Sequence, residues 1–248
     1  MPYTITPLKI GEYQQFEKSR FTYDKHHGQK IDVALIAWLV RSDTKCILVD
    51  SGPPIHVSQG DRHHLKMTVR EGGLTGALRE QNVKPDDIDT VILTHLHWDH
   101  AYNLELFPHA RIYVQKRELE YAVNPLPLHR ITYEVNFTDV VPYWANHLGR
   151  YSVLDGNTEI CEGIQVFLLP GHTPGLQGVL VETKQDRYLI ASDCFPLFEN
   201  IEQDIPNGIH VDLTDWYASL ATVKNLRATI LPGHDLAIFK RKEYGSDC

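Results

Sequence analysis

The fold and the chemistry of this chain are decided by one stretch, Thr94-His95-Leu96-His97-Trp98-Asp99-His100. It directly follows residues 88–93, whose apolar side chains are typical of a buried strand. In a loop that leaves a strand end, His95 and His97 share a parity and can point the same way, whereas Asp99 and His100 point differently. The spacing therefore predicts a metal site, with a second metal ion a few ångströms from the first.

Three more strand-like segments, at residues 164–169, 187–191 and 228–231, each lead into a turn that carries a possible metal ligand. Glycine stands directly before both histidines of this set and lets the backbone turn sharply at the strand end. Each turn alone is weak evidence, but together with the first cluster they complete a pair of metal sites. The three additional ligands are His172, Asp193 and His234.

Imidazole and carboxylate ligands suit zinc, and they also suit iron or manganese. We therefore predict two divalent metal ions, with zinc as the first choice and Asp193 as the bridging ligand. A water molecule shared by two cations loses its proton near neutral pH and becomes a nucleophile. We assign the first metal to His95, His97 and His172, and the second metal to Asp99, His100 and His234.

Short apolar runs bounded by turn residues make up most of the remaining chain. The strand patterns lie at residues 32–40, 46–50, 90–94, 111–115, 164–169, 177–182 and 187–191. Helical patterns lie at residues 73–81, 116–122 and 215–225, the last with Trp216, Leu220 and Val223 on one stripe and Asp212 or Thr214 as its N-cap. This order predicts one α/β (α+β) domain over residues 1–248, with two facing sheets and helices outside.

Two stretches, residues 53–70 and 124–149, show no regular pattern. Long irregular segments of a compact domain are often lids or binding loops, so we expect both to rim the cleft. His56, His63 and His64 lie in the first of them and can reach the cleft, although surface histidines need no function.

The chain has 24 basic and 32 acidic residues, which gives a formal net charge of −8. This balance excludes a basic footprint for nucleic acid, and no apolar run approaches the length of a membrane span. The start of the chain lacks the features of a signal peptide, so we expect a cytoplasmic protein. None of the four cysteines lies in a C-x-x-C pair, which favours structural or free thiols. The apolar N-terminal segments leave a homodimer open without requiring it.

The residues from His95 to His100 match the H-x-H-x-D-H motif of the metallo-β-lactamase-fold superfamily, which this chain resembles. His172, Asp193 and His234 match the remaining ligand positions of that superfamily in order and spacing. A further marker matches Leu48-Val49-Asp50-Ser51-Gly52, whose aspartate usually supports the metal ligands from behind. The resemblance runs from about residue 30 to 240, and it implies an αββα sandwich of two mixed sheets with the metals at one edge.

Within the superfamily, β-lactamases generally lack the bridging aspartate that Asp193 provides here. The seven-ligand set resembles glyoxalase II enzymes and N-acyl homoserine lactonases, and the short segment after His234 favours the lactonase group. The chain departs from that group at Pro196, where lactonases typically carry a tyrosine that hydrogen-bonds the substrate. It also has Tyr102-Asn103 in place of the usual Gly-Gly. Tyr102 is our candidate for the missing hydroxyl, and the alternative is a packing role.

The resemblance implies a dinuclear metal-dependent hydrolase that opens a lactone or ester by a metal-bridging hydroxide, with a role in quorum quenching. Asp99 would carry a proton to the leaving oxygen. The substrate would bind against Trp98, Tyr102, Phe195 and Phe198, unless these residues only pack the core. Alternatives are a glyoxalase II-type thioesterase, another hydrolase such as a phosphodiesterase, an iron-dependent persulfide dioxygenase, and a binding protein without catalysis. The partner is a small molecule in each enzymatic case.

Overall fold

The computed structural model describes residues 2–55, 63, 65–135 and 140–246, and these form two mixed β-sheets packed face to face. The first sheet has the strand order β4-β1-β2-β3-β5-β6-β7, and the second has the order β12-β11-β10-β9-β8. Strands of the first sheet are β1 (Thr4–Glu17), β2 (Lys30–Arg41), β3 (Cys46–Val49), β4 (Met67–Val69), β5 (Thr90–Ile92), β6 (Arg111–Gln115) and β7 (Tyr151–Leu154). Strands of the second are β8 (Thr158–Cys161), β9 (Ile164–Leu168), β10 (Gln177–Glu182), β11 (Arg187–Ser192) and β12 (Thr229–Pro232).

Helices cover the outer faces of both sheets, as the αββα expectation requires. They are α1 (Gly73–Glu80), α2 (Lys116–Val123), α3 (Phe198–Glu202) and α4 (Leu213–Leu226). Short 3₁₀ turns lie at Lys18–Arg20, Pro85–Asp87, Leu104–Leu106, Pro127–His129, Tyr143–Arg150 and Leu236–Lys240. In the described residues, no helix is long and apolar enough to cross a membrane.

Strand β2 explains the layering, because nearly all of its side chains are buried on both faces of the sheet. Successive side chains of a strand point to opposite faces. Leu35 and Leu39 therefore pack under α1, whereas Ile36 and Trp38 pack between the two sheets. A continuous apolar run is the pattern expected for a strand covered on both sides.

Helix α4 closes the outer face of the second sheet. Trp216, Leu220 and Val223 are buried against that sheet, which confirms the predicted apolar stripe. The N-cap is Asp212, whose carboxylate accepts a hydrogen bond from the backbone N–H of Asp215 at 2.9 Å. The structure thus decides between the two caps that the sequence left open.

The N-terminal segment is the largest departure from the expected elements, since it forms the 14-residue strand β1. Its apolar side chains, such as Tyr3 and Ile5, are buried between the chain's own sheets. They therefore give no reason to expect a second subunit. Part of the irregular stretch 53–70 also forms a strand, β4, which pairs with β1.

Candidate metal centre

Four loops that follow strand ends bring the predicted metal ligands together. The loop after β5 carries the residues from His95 to His100, and the loop between β9 and β10 carries His172. Asp193 directly follows β11, and His234 follows β12. Ligand atoms of these side chains form three mutually close groups, within 4.8 Å in each: His95, His97 and His172; His95, His100 and Asp193; Asp99, His100 and His234.

The carboxylate of Asp193 lies between the two predicted metal positions. Its Oδ1 lies 3.0 Å from Nε2 of His234 and 3.3 Å from Nε2 of His100, on the side of the second metal. Its Oδ2 lies 3.4 Å from Nε2 of His172, on the side of the first metal. On that first side, His172 Nε2 also lies 3.0 Å from His97 Nδ1. One oxygen faces each group, which is the arrangement that a bridging carboxylate requires.

The residues present fit divalent cations by their chemistry as well as by their positions. In the described part of the chain, several buried ligand atoms make no hydrogen bond: Nε2 of His95, His97, His100 and His234, and Oδ1 of Asp193. Buried polar atoms of native proteins are nearly always hydrogen-bonded, so a convergent set of unpaired ones needs an explanation. Imidazole nitrogens around a carboxylate are the donor set that zinc, iron and manganese take.

The opposite ring nitrogens of the histidines are held by the surrounding protein. His234 Nδ1 lies 2.7 Å from the carbonyl oxygen of Ala34, and His172 Nδ1 lies 2.7 Å from that of Ile209. Because a carbonyl only accepts, both Nδ1 atoms carry the proton and donate it. Each Nε2 then presents its lone pair to the centre. Partners of this kind fix the tautomer and the ring orientation of metal-binding histidines.

Asp50 supports the ligand loop from behind, as the resemblance implied. Its Oδ2 lies 2.9 Å from His100 Nδ1, and its Oδ1 accepts a hydrogen bond of 2.7 Å from the backbone N–H of Thr94. The residue adopts φ +61°, which turns the chain sharply at the end of β3. The carboxylate thereby joins the end of one strand to the loop that follows another.

Charges in the centre call for a cation. Burial disfavours the charged form of Asp193, but the imidazoles of His234 and His100 outweigh it and hold the pKa of that carboxyl well below its ordinary value. Burial lowers the pKa of His95 and His97 well below the ordinary value, and neighbouring histidines add to the effect. Burial also acts to lower the pKa of His100, but Asp193 outweighs it and raises that pKa. The carboxylates of Asp193, Asp99 and Asp50 thus favour a positive charge beside His100, where the second metal is predicted.

Asp99 is oriented by a residue that the sequence did not single out. Its Oδ1 lies 3.8 Å from His100 Nε2, while its Oδ2 accepts a hydrogen bond of 2.9 Å from the hydroxyl of Tyr13. Tyr13 comes from β1, far away in sequence, so no local motif around Asp99 could have indicated it.

A narrow pocket opens onto the ligands. Its walls include Tyr13, Phe16, Phe21, Trp98, Leu65, Thr132 and Ile209, with the exposed Arg20 at the rim. The free volume is about 40 Å³, which is room for only a few water molecules. An acylated lactone is larger than this space, so it would either extend beyond the pocket or displace wall side chains.

Of the four predicted substrate-binding residues, the structure brings only Trp98 to this pocket. Tyr102 stacks on Tyr143, with ring centroids 4.9 Å apart, and packs against the hydrophobic core. Phe195 is fully buried against Trp216 under α4, and Phe198 begins α3 and packs at the inter-sheet core. The prediction that Tyr102, Phe195 and Phe198 line the cleft is therefore corrected. An aromatic side chain near a ligand in sequence often points into the core instead, because the chain turns at the strand end.

The first irregular stretch reaches the pocket through Leu65, and its His63 packs behind the pocket wall on Trp98. Its ring stacks on Trp98, with centroids 3.9 Å apart and planes 7° apart, and its Nε2 lies 3.1 Å from Oε1 of Glu134. Both members of this pair are buried. His56 and His64 lie outside the described residues.

Glu118 of α2 is the second important residue that the sequence analysis missed. It is fully buried, and its carboxylate accepts four hydrogen bonds. Oε1 accepts from the backbone N–H of Leu96 at 2.9 Å and the hydroxyl of Tyr133 at 2.8 Å. Oε2 accepts from the hydroxyl of Thr173 at 2.7 Å and the N–H of Gly175 at 3.2 Å. The sequence signal that could have indicated this role is an acidic residue, Glu118, on the buried face of the predicted helix 116–122.

Comparison with known proteins agrees with the fold. The family model of the metallo-beta-lactamase superfamily matches residues 37–234, the range that carries every predicted ligand. The chain belongs to this superfamily. The expected αββα sandwich is thereby confirmed from sequence and from structure.

Similar proteins within the superfamily are lactonases. The N-acyl homoserine lactonase AiiA of Bacillus thuringiensis subsp. kurstaki is 28% identical over 227 residues, which covers 84% of each chain. The crystal structure of a quorum-quenching N-acyl homoserine lactone lactonase matches with a TM-score of 0.79 at 27% identity, over 96% of this chain and 94% of that chain. The structure of an N-acyl homoserine lactone hydrolase with N-hexanoyl-L-homoserine at its catalytic metal centre matches with a TM-score of 0.78 at 25% identity, over 96% and 95%.

Proposed function

We propose that this protein is a metal-dependent hydrolase that opens the lactone ring of N-acyl homoserine lactones or closely similar cyclic esters. The observation that carries the proposal is the placement of Asp193 between two groups of ligands, with one oxygen facing each. The similar proteins named above act on N-acyl homoserine lactones, and the match covers most of their length as well as most of this chain.

The centre would hold two divalent ions, for which zinc is our first choice. His95, His97 and His172 would hold one, Asp99, His100 and His234 the other, and Asp193 both. Bound there, the ions supply Lewis acidity that polarises a carbonyl group and acidifies water. Side chains of the protein itself would carry out the proton transfers of the reaction.

Asp99 is the residue that we assign to proton transfer. Its side chain lies at the floor of the pocket, beside His100 on one oxygen and Tyr13 on the other. A carboxylate in this position can accept a proton from the attacking water and deliver it to the ring oxygen that leaves. Aromatic walls formed by Phe16, Phe21 and Trp98 exclude bulk water from the reacting groups.

A glyoxalase II-type thioesterase is the second candidate, and one observation favours it. Arg20 lies at the pocket rim with its guanidinium 5.0 Å from the ring centroid of Phe16, where it can meet an anionic group on a substrate. This contact would favour a thioester that carries a negative charge, whereas an acyl homoserine lactone is neutral.

We also propose that the protein works in the cytoplasm and that its lactonase activity removes quorum-sensing signals. The cysteines that the structure describes, Cys46, Cys161 and Cys194, are all unpaired, as expected in a reducing compartment.

A substrate panel tests the proposed function. We expect the metal-loaded protein to open acyl homoserine lactones and simple lactones with kcat/KM at least about tenfold above that for a thioester or a cephalosporin, as differential transition-state binding requires. Asp99→Asn should keep most of the metal and lose most of the turnover, because an amide cannot carry the proton.

The matched control for this panel is His129→Gln, since His129 is also buried but belongs to none of the ligand groups. Its turnover should stay near that of the unmodified protein. Hydrolysis of the thioester without opening of any lactone would transfer the protein to the thioesterase class. Near-normal turnover of Asp99→Asn would remove Asp99 from the proton-transfer role.

A further inference from the structure

Strand β1 is bulged where it passes the metal-ligand loops. Tyr13 pairs with Val33 of β2, and Phe16 pairs with Ile31. Between these two pairs β1 advances by three residues while β2 advances by two, so β1 contains one extra residue. Residues three apart in a regular strand point to opposite faces of the sheet. The extra residue brings Tyr13 and Phe16 to the same face, where their rings stack with centroids 5.6 Å apart.

The bulge is fixed by its own hydrogen bond. Gln15 adopts φ +52°, and its backbone N–H donates to Oδ1 of Asp32 at 2.9 Å. Bulges are common beside active sites, where they redirect a side chain. Here the redirected side chains are those of Tyr13 and Phe16, and both line the pocket above the ligands.

The hydroxyl of Tyr13 donates a hydrogen bond to Asp99, a predicted metal ligand. Only 2% of the residue is exposed, its ring lies beside the rings of Trp98 and His234, and its hydroxyl donates to Asp99 Oδ2 at 2.9 Å. A buried tyrosine normally finds a partner for its hydroxyl, and main-chain carbonyls are the common choice. Among the described pocket residues the other hydroxyl, that of Thr132, does donate to a main-chain carbonyl.

We propose that Tyr13 is a positioning residue that makes Asp99 a ligand through one oxygen only. A carboxylate can bind a metal through one oxygen or through both. The hydrogen bond from Tyr13 holds Oδ2, which leaves Oδ1, on the side of His100, for the metal. Oδ2 is then kept at the pocket floor as the oxygen that exchanges protons with the substrate.

The proton exchange by Oδ2 rests on the proposed function, whereas the one-oxygen binding of Asp99 does not. The loop that follows Asp193 has Pro196 and provides no hydroxyl to the centre. The hydroxyl that contacts Asp99 comes from β1 instead.

The test compares the unmodified protein with Tyr13→Phe, each loaded with cobalt(II) in place of the native metal. The visible absorption of cobalt(II) weakens as its coordination number rises, so the spectrum reports on Asp99 without any substrate. We expect a weaker and shifted absorption in Tyr13→Phe, because both oxygens of Asp99 become free to bind. We also expect kcat for a lactone to fall about 10–100-fold while KM changes by less than about threefold, as for other partners of metal ligands.

The control is Tyr244→Phe, which removes another buried tyrosine hydroxyl, one that donates to the carbonyl of Ile238 at 2.6 Å outside the pocket. It should leave the cobalt spectrum and the turnover unchanged. If Tyr13→Phe does not fold, Asp32→Ala releases the bulge and should change the spectrum in the same direction. An unaltered spectrum in folded Tyr13→Phe would overturn the inference. A changed spectrum in a protein that opens no lactone would support the role of Tyr13 and reject the proposed function.

Discussion

At the scale of the residue, Glu118 shows how a buried charge can hold a metal centre in place. Its two oxygens accept from Leu96, which lies between two histidine ligands, and from Thr173, which follows a third. Burial raises the pKa of Glu118, and these hydrogen bonds act in the opposite direction. A buried carboxylate is costly unless its lone pairs are satisfied, and here four donors satisfy them. The side chain joins two ligand loops that are distant in sequence.

We predict that Glu118→Gln lowers the metal affinity of the protein about 10–100-fold, the range for supporting groups around metal sites. The amide would turn its NH₂ group toward two of the four donors and lose both hydrogen bonds. Metal affinity can be measured by competition with a chromophoric chelator. Glu120→Gln, on the same helix but largely exposed, is the matched control. Equal affinities in the two variants would show that Glu118 has no part in holding the ligand loops.

At the scale of the element, the ligands occupy the points where strands stop and the chain must turn. The turn that carries His172 approaches α4 so closely that only glycine fits before it. A Cβ on Gly171 would lie 2.7 Å from Cα of Trp216, and φ at Gly171 is +137°. The carbonyl oxygen of Gly171 also accepts from the N–H groups of Val211 and Asp212 just before the helix. Helix α4 thus fixes the turn that carries His172, a predicted ligand of the first metal.

We predict that Gly171→Ala lowers the free energy of unfolding by about 1–3 kcal/mol from backbone strain, with more from the contact with Trp216. The displaced turn should also weaken metal binding at His172. Urea unfolding of the metal-free and metal-loaded protein measures both effects. Gly149→Ala is the control, because a Cβ there meets no atom within 4 Å. Equal unfolding midpoints for the two variants would contradict the proposed coupling of turn and helix.

At the scale of the whole molecule, the sequence predicts the parts of the fold that repeat one design. A buried strand followed by a ligand-bearing turn is visible around His95, His172 and His234, because apolar runs and glycine positions are local signals. Tyr13 is invisible to the same reasoning. Its strand has an irregular alternation, since the pairing with β2 shifts register near Gly11 and again before Phe16.

The walls of the pocket were predicted least well, for a related physical reason. Phe195 lies close to the predicted ligand Asp193 in sequence, but this closeness does not decide whether its side chain points into the pocket or into the core. Apart from Trp98, wall residues such as Phe16, Phe21 and Ile209 come from segments distant in sequence from the ligands that they approach. Their position depends on how the two sheets pack, and packing leaves no local pattern to read.

Metal stoichiometry of the purified protein, measured by elemental analysis and followed by lactone hydrolysis after stepwise reloading, tests the central claim most directly. The seven-ligand centre predicts about two equivalents of zinc, manganese or iron per chain, with lactone opening that needs both. Chelation should abolish the activity and reloading should restore it. A single iron per chain, with no hydrolysis of any ester, thioester or lactone, would contradict the account. That result would place the protein in the oxidative branch of its superfamily and leave Asp99 and His234 without a role as ligands.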